Sequence, residues 1–213
     1  MKKNYIFCSE SLNFVWIDLP KVASTSIRKK LMEETIDFRT LALDSKLVDN
    51  IGEVDFNNKF KNCFIFCFVR NPWDRLLSFY KMIKQRDGRL KRFQRVYYNH
   101  YKKKLLINDN FFEFSGFCNR LCEFLEIKHN FIDHINLQTS FLYKTPDFIG
   151  RFENLQQDFD IICDKIGIPK QQLPHINKKK HKCYTEYYDE ETRKIVAEKY
   201  AKDIEYFNYK FGE

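Results

Sequence analysis

The sequence predicts an α/β fold, a three-layer sandwich around a mainly parallel central sheet, and three observations carry that expectation. Short apolar runs alternate along the chain with stretches of helical periodicity. The runs at residues 13–18 and 63–69 are continuously apolar, as strands covered on both faces are. Each is followed at once by a polar turn and a helix start, so any ligand crevice falls beyond the strands' carboxyl ends.

In the first unit Phe14, Val15, Trp16 and Ile17 make the strand and Leu19-Pro20 ends it. After Ser24, Thr25 and Ser26, the apolar residues Ile27 and Leu31 stand four apart, which suits a helix beginning near Ser24. In the second unit the strand at 63–69 stops at Arg70. There Asn71 can cap a helix, Pro72 fits its first position, and Asp74 falls in the first turn, where the helix dipole favours an acid.

The third unit repeats the order. Residues 148–152 read as a strand, Asn154 as a cap, and Leu155, Phe159, Ile162 and Ile166 as the apolar stripe of a helix that Gly167 and Pro169 stop. Near the end of the chain Asp189 can cap a helix carrying Ile195, Val196 and Ile204, and the aromatic residues at 206–211 are expected to pack on the core.

A chain of 213 residues suits one domain, 1–213, with a core of its own. With 44% hydrophobic residues, 22 Phe and 12 Tyr, and only six Gly and five Pro, the composition excludes a disordered or linker-like protein. The N-terminal apolar run breaks after four residues, too soon for a signal-peptide core, and no stretch approaches the roughly 20 apolar residues of a membrane span. A cytoplasmic protein without a membrane span is expected. Seven Cys, an odd number without CxxC pairs or zinc-like spacing, read as reduced thiols, with Cys63 and Cys67 packing in the second strand.

The net charge of +8 is concentrated. Residues 81–104 hold ten Lys or Arg against the single Asp87, so that segment carries +9 and the remainder of the chain −1. Local basicity of this kind implies an anionic partner.

Two polar loops carry the chemistry. In the loop Pro20-Lys21-Val22-Ala23-Ser24-Thr25-Ser26, amides and the helix dipole can converge on an anion, and Lys21 adds a full positive charge. The segment holds no Gly and lacks the GxxxxGK[ST] pattern of ATP-binding loops, which counts against an ordinary kinase. The second loop places the Arg70 guanidinium at a strand end and the Ser78 hydroxyl two helical turns along, so that together they can hold a second phosphate.

These two motifs resemble those of the carbohydrate sulfotransferases, the group with the Golgi chondroitin and dermatan enzymes and their bacterial relatives. In that family a Pro-Lys-x-x-Ser/Cys-Thr loop grips the 5′-phosphosulfate of 3′-phosphoadenosine 5′-phosphosulfate, and Arg-Asp/Asn-Pro-x-x-Arg-x-x-Ser grips its 3′-phosphate. Residues 148–155 resemble the family's Ile-Gly-Arg-Phe-Glu segment, and Pro174-His175-Ile176-Asn177-Lys178 its late Pro-His-x-Asn turn. The resemblance implies a P-loop NTPase-like sulfotransferase fold. It assigns Lys21, Val22, Ala23, Ser24, Thr25 and Ser26 to the 5′-phosphosulfate, Arg70 and Ser78 to the 3′-phosphate, and Lys178 to the donor side.

The expected reaction moves a sulfuryl group to a hydroxyl of an oligo- or polysaccharide. The transferred group is close to neutral SO₃, so no metal is required and Lys21 with backbone amides can stabilise the leaving phosphate. The acceptor hydroxyl needs a base, and imidazole titrates in the useful range. His134 lies in a segment resembling the Golgi enzymes' His-Trp-x-Pro-Gln, with Ile135 for Trp and Leu137 for Pro, and is the first choice. Glu33 and Asp133 are the carboxylate alternatives. The basic segment points to an anionic glycan. A small phenolic acceptor is the nearest rival, followed by nucleic-acid binding through the basic runs with Tyr97, Tyr98 and Tyr101.

Overall fold

The structure, a computed structural model, describes residues 5–42, 60–84, 87–101, 113–129, 131–142, 144–174 and 182–213. Its strands are β1 (Tyr5–Ser9), β2 (Phe14–Asp18), β3 (Arg39–Ala42), β4 (Phe64–Val69) and β5 (Phe148–Arg151). Its helices are α1 (Ser24–Glu34), α2 (Pro72–Lys84), α3 (Asp87–Tyr101), α4 (Phe114–Asn119), α5 (Leu121–Glu126), α6 (Leu155–Ile166), α7 (Glu190–Lys199) and α8 (Ala201–Phe207). The chain divides into two compact units, a sheet unit of Lys2–Arg70 with Ser140–Lys179 and a helical unit of Asn71–Thr139 with Lys180–Glu213.

In the sheet unit the strand order is β3-β1-β2-β4-β5. The three strands read from the sequence pair in parallel, with Trp16 beside Phe66 and Phe68 beside Gly150. The sheet as a whole is mixed, however, because β1 runs antiparallel to both β2 and β3, which corrects the expectation of a mainly parallel sheet. Only four residues separate β1 from β2. So short a link closes a hairpin and cannot make the crossover that a parallel pair needs.

The sheet core is aromatic. Phe7 stacks on Trp16 at 5.1 Å between ring centroids, and Trp16 on Phe66 at 6.4 Å. Helix α1 covers this face, since the Arg28 guanidinium lies 4.6 Å from the Phe7 ring centroid. Gly150 is required by packing: a Cβ there would stand 2.5 Å from the Phe68 ring. Gly167, at φ 76°, ends α6 as expected, whereas Asn154 makes no side-chain cap and a 3₁₀ turn at Phe152–Asn154 leads into the helix instead.

The helical unit is built on the apolar stripe of α2. Leu76, Leu77, Phe79 and Ile83 pack with Phe93, Phe117, Phe124, Phe131 and Tyr200. Asn71 caps α2 as the sequence predicts, its Oδ1 accepting from the Trp73 amide at 3.2 Å, while its Nδ2 donates to the Lys210 carbonyl at 2.9 Å. The aromatic tail does pack on the core, with Phe211 edge-on to Trp73 at 5.5 Å. Asp189 caps α7 by accepting from the Thr192 amide at 2.8 Å. All seven cysteines are free thiols, and burial pushes Cys67 up to about 12. Among the described residues no helix is long and apolar enough to cross a membrane.

Candidate functional site

The turn after β2 has an unusual backbone. Lys21 and Ala23 both adopt the left-handed region, at φ 74° and 68°, on either side of the fully buried Val22. For residues with a Cβ this conformation costs about 1 kcal/mol or more each, and such strain persists where a site depends on it. Left-handed residues in a turn can direct neighbouring amides toward one side, the arrangement that cups an anion. The loop therefore reaches, without glycine, the geometry that glycine usually supplies.

Helix α1 begins directly behind it. The Ser26 and Ile27 amides both donate to the Ala23 carbonyl, at 2.9 and 3.3 Å, and the amides of Ser24 and Thr25 have no carbonyl within the helix to accept them. The hydroxyls of the loop divide by role. Ser24 Oγ donates to the Leu19 carbonyl at 2.9 Å, and the buried Ser26 Oγ to the Pro174 carbonyl at 2.8 Å. With those two hydroxyls engaged, the groups of the loop open to solvent are the partly exposed Lys21 and the exposed Thr25.

Arg70 joins this loop. Its Nη1 donates to the Lys21 carbonyl at 3.1 Å, and its guanidinium lies 3.8 Å from the Phe152 ring centroid. The sheet unit thus gathers residues 21–26 and Arg70 into one cationic corner at the ends of β2 and β4. Ser78 belongs to the helical unit, partly exposed on α2. Lys178 lies outside the described residues, following the Pro174 whose carbonyl Ser26 holds.

Asp18, the last residue of β2, is the buried acid of this corner. Its Oδ2 accepts from Arg28 Nη2 at 2.7 Å. Burial pushes its carboxyl up to about 6, against the opposing pull of the Ser24 hydroxyl and the Arg28 charge.

His134 sits on a 3₁₀ turn, Ile132–Ile135, of the helical unit. Its ring stacks on Phe79 at 5.9 Å and meets the edge of Phe131 at 6.2 Å. The residues after it are held by buried polar groups that sequence reasoning missed. Arg75 Nη1 donates to the Asn136 carbonyl at 2.8 Å, and the Tyr200 hydroxyl to the Ile135 carbonyl at 2.6 Å. Asp203 accepts from the amides of Gln138 and Thr139 at 2.7 and 2.9 Å and from Thr139 Oγ1 at 2.9 Å. A signal existed in the sequence: Asp203 stands four residues before Phe207, one helical turn away on the same face of α8.

The other candidate bases differ in setting. Glu33 is exposed on α1, and the Lys30 ammonium, 2.7 Å away, holds its carboxyl below the usual range, which weakens it as a base. Asp133 is buried and its Oδ1 accepts from Asn136 Nδ2 at 3.0 Å. His129 spends its Nδ1 on the Phe131 amide at 3.0 Å, and burial, then the Arg92 charge, lowers its pKa. No group of three His, Cys, Asp or Glu among the described residues is placed to hold a metal ion.

In this α/β protein a turn left-handed at Lys21 and Ala23 leads into the N-terminus of α1, with Arg70 bonded to the Lys21 carbonyl. The model of the Sulfotransferase family matches residues 4–210, nearly the whole chain, and this chain belongs to that family. An uncharacterized protein of the archaeon Archaeoglobus fulgidus is 30% identical over 127 residues, 55% of this chain and 79% of that protein. No solved structure matches.

Proposed function

We propose that this protein transfers a sulfuryl group from 3′-phosphoadenosine 5′-phosphosulfate to a hydroxyl of an anionic carbohydrate. The observation that carries this reading is the strained pair Lys21 and Ala23, which turns a glycine-free loop into an anion nest at the head of α1. Membership of the Sulfotransferase family supports reading the anion of that loop as the 5′-phosphosulfate of the donor. Lys21 and the loop amides neutralise the charge that collects on the leaving phosphate. The acceptor oxygen attacks sulfur, the bond from sulfur to the phosphate oxygen breaks, and the hydroxyl proton passes to a base. Adenosine 3′,5′-bisphosphate leaves.

Arg70 and Ser78 are assigned to the 3′-phosphate, Lys178 to the donor side, and His134 to the base, each on the strength of the resemblance. The glycan assignment is supported by charge: on α3 and the end of α2, Lys84, Lys91, Arg92 and Arg95 are exposed to solvent. A phenolic acceptor would draw nothing from such a surface. The deciding experiment incubates the protein with sulfur-labelled donor and a panel of uronic-acid glycans, neutral glycans, phenols and tyrosine peptides. Transfer to acidic glycans is expected, and transfer confined to phenols would overturn the acceptor class.

A further inference from the structure

Asp18 puts a negative charge where an anion-binding protein has most to lose by it. It ends β2 three residues before Lys21, and its carboxyl group lies against Ser24, the first residue of α1. Oδ2 is paired with Arg28, while Oδ1 is buried and, among the described residues, makes no hydrogen bond. On the same face the neighbouring strands bring Phe7, Phe66 and Phe68. Among the described residues Arg28 is the charged group that acts on it, and the Arg28 side chain is 38% exposed, so water screens that charge from the acid.

We propose that Asp18 is a counter-charge to the bound nucleotide: its carboxylate, held behind the anion loop, lowers the loop's affinity for phosphate, and Arg28 sets how much of that field reaches the ligand. The inference rests on the reading of residues 21–26 as the donor loop. Its consequence falls hardest on the product. The donor carries one charge on the phosphate in the loop and one on the sulfuryl group, whereas the product carries both on that phosphate. A buried acid behind the loop therefore opposes the product more than the donor and favours its release. Protonation of Asp18 removes the penalty.

The test is calorimetric titration of the full chain with adenosine 3′,5′-bisphosphate at pH 7.5. Asp18→Asn is expected to bind about tenfold more tightly than wild type and Arg28→Gln about tenfold more weakly, with the double variant within about threefold of wild type, as one charge gained or lost near a phosphate requires. At pH 5 the wild-type acid is protonated, so its affinity should converge with that of Asp18→Asn. Comparing the two proteins at each pH cancels the titration of the phosphates themselves. Asp18→Ser removes the same charge should the Asn protein not fold.

An ion pair with a purely structural role would weaken binding in both single variants, and that result overturns the inference. So does an Asp18→Asn protein with unchanged affinity. Absence of any binding by the wild-type protein sinks the donor-site reading and this inference together.

Discussion

Arg70 Nη1 donates to the main-chain carbonyl of Lys21 at 3.1 Å, joining the end of β4 to the left-handed turn after β2. Held at the same time 3.8 Å from the Phe152 ring centroid, the guanidinium has a fixed place beside the anion loop. A planar, forked donor can bond the carbonyl, stack on the ring and still present N–H groups to a ligand.

Arg70→Ala should therefore weaken binding of adenosine 3′,5′-bisphosphate by about 1.5–3 kcal/mol, the usual worth of a charged hydrogen bond. Arg70→Lys should recover little of it, because an ammonium lacks the fork. Lys21→Ala should abolish transfer while the far-ultraviolet dichroism stays native. Calorimetry and a donor-consumption assay read both, and wild-type kinetics in either alanine variant would break the donor-site map.

Ala23→Gly should raise stability by about 0.5–1 kcal/mol, since glycine takes φ 68° without the Cβ clash and the relief exceeds its entropic cost. Bisphosphate affinity should be kept. Ala23→Val should lower stability by about 1–2 kcal/mol, a β-branched residue being a true outlier there. Urea denaturation measures both, and a neutral or unfavourable Gly substitution would contradict the strained turn.

His134→Ala should cut turnover by about 10²–10⁴-fold, the range of general-base catalysis, and leave bisphosphate affinity almost unchanged. Asp203→Asn should move turnover in the same direction, because an amide cannot accept all three hydrogen bonds that hold Gln138 and Thr139. Retained turnover in the His134 variant would shift the base to another residue.

Stability should fall as pH rises across the titration of Asp18. The folded protein holds this proton up to about pH 6, against 3.8 for an ordinary aspartate. The folded state thus binds more protons than the unfolded chain between these values. The group's contribution is complete below about pH 4 and is lost through pH 6, about 3 kcal/mol at 1.36 kcal/mol per pH unit. Between pH 4.5 and 7 thermal melts should show about 2 kcal/mol of this in wild type and a flatter dependence in Asp18→Asn.

Much of the fold is legible along the chain because its determinants are local. The apolar runs of β2 and β4, the Asn71 and Asp189 caps and the Gly167 stop each depend on neighbours a few residues away. Strand β1 was hidden for the opposite reason. Its five residues resemble any short apolar stretch, and only pairing with β2 and β3 makes them a strand and the sheet mixed. Helices α4 and α5 lack side-chain caps and are held by contacts of Phe117, Leu121 and Phe124 with the aromatic core.

The same division runs through the site. Sequence alone determined that Lys21 to Ser26 lie between a strand and a helix N-terminus, that Arg70 ends the next strand, and which family the motifs resemble. It could not determine that Lys21 and Ala23 are left-handed, that Ser26 turns its hydroxyl to Pro174, or that Asp18 is buried beside Arg28. A residue's backbone preference is set by its own Cβ, and a charge's pKa by the solvent it sees. Both are overruled only by packing from residues far along the chain, which here come from the sheet, from α1 and from Pro174.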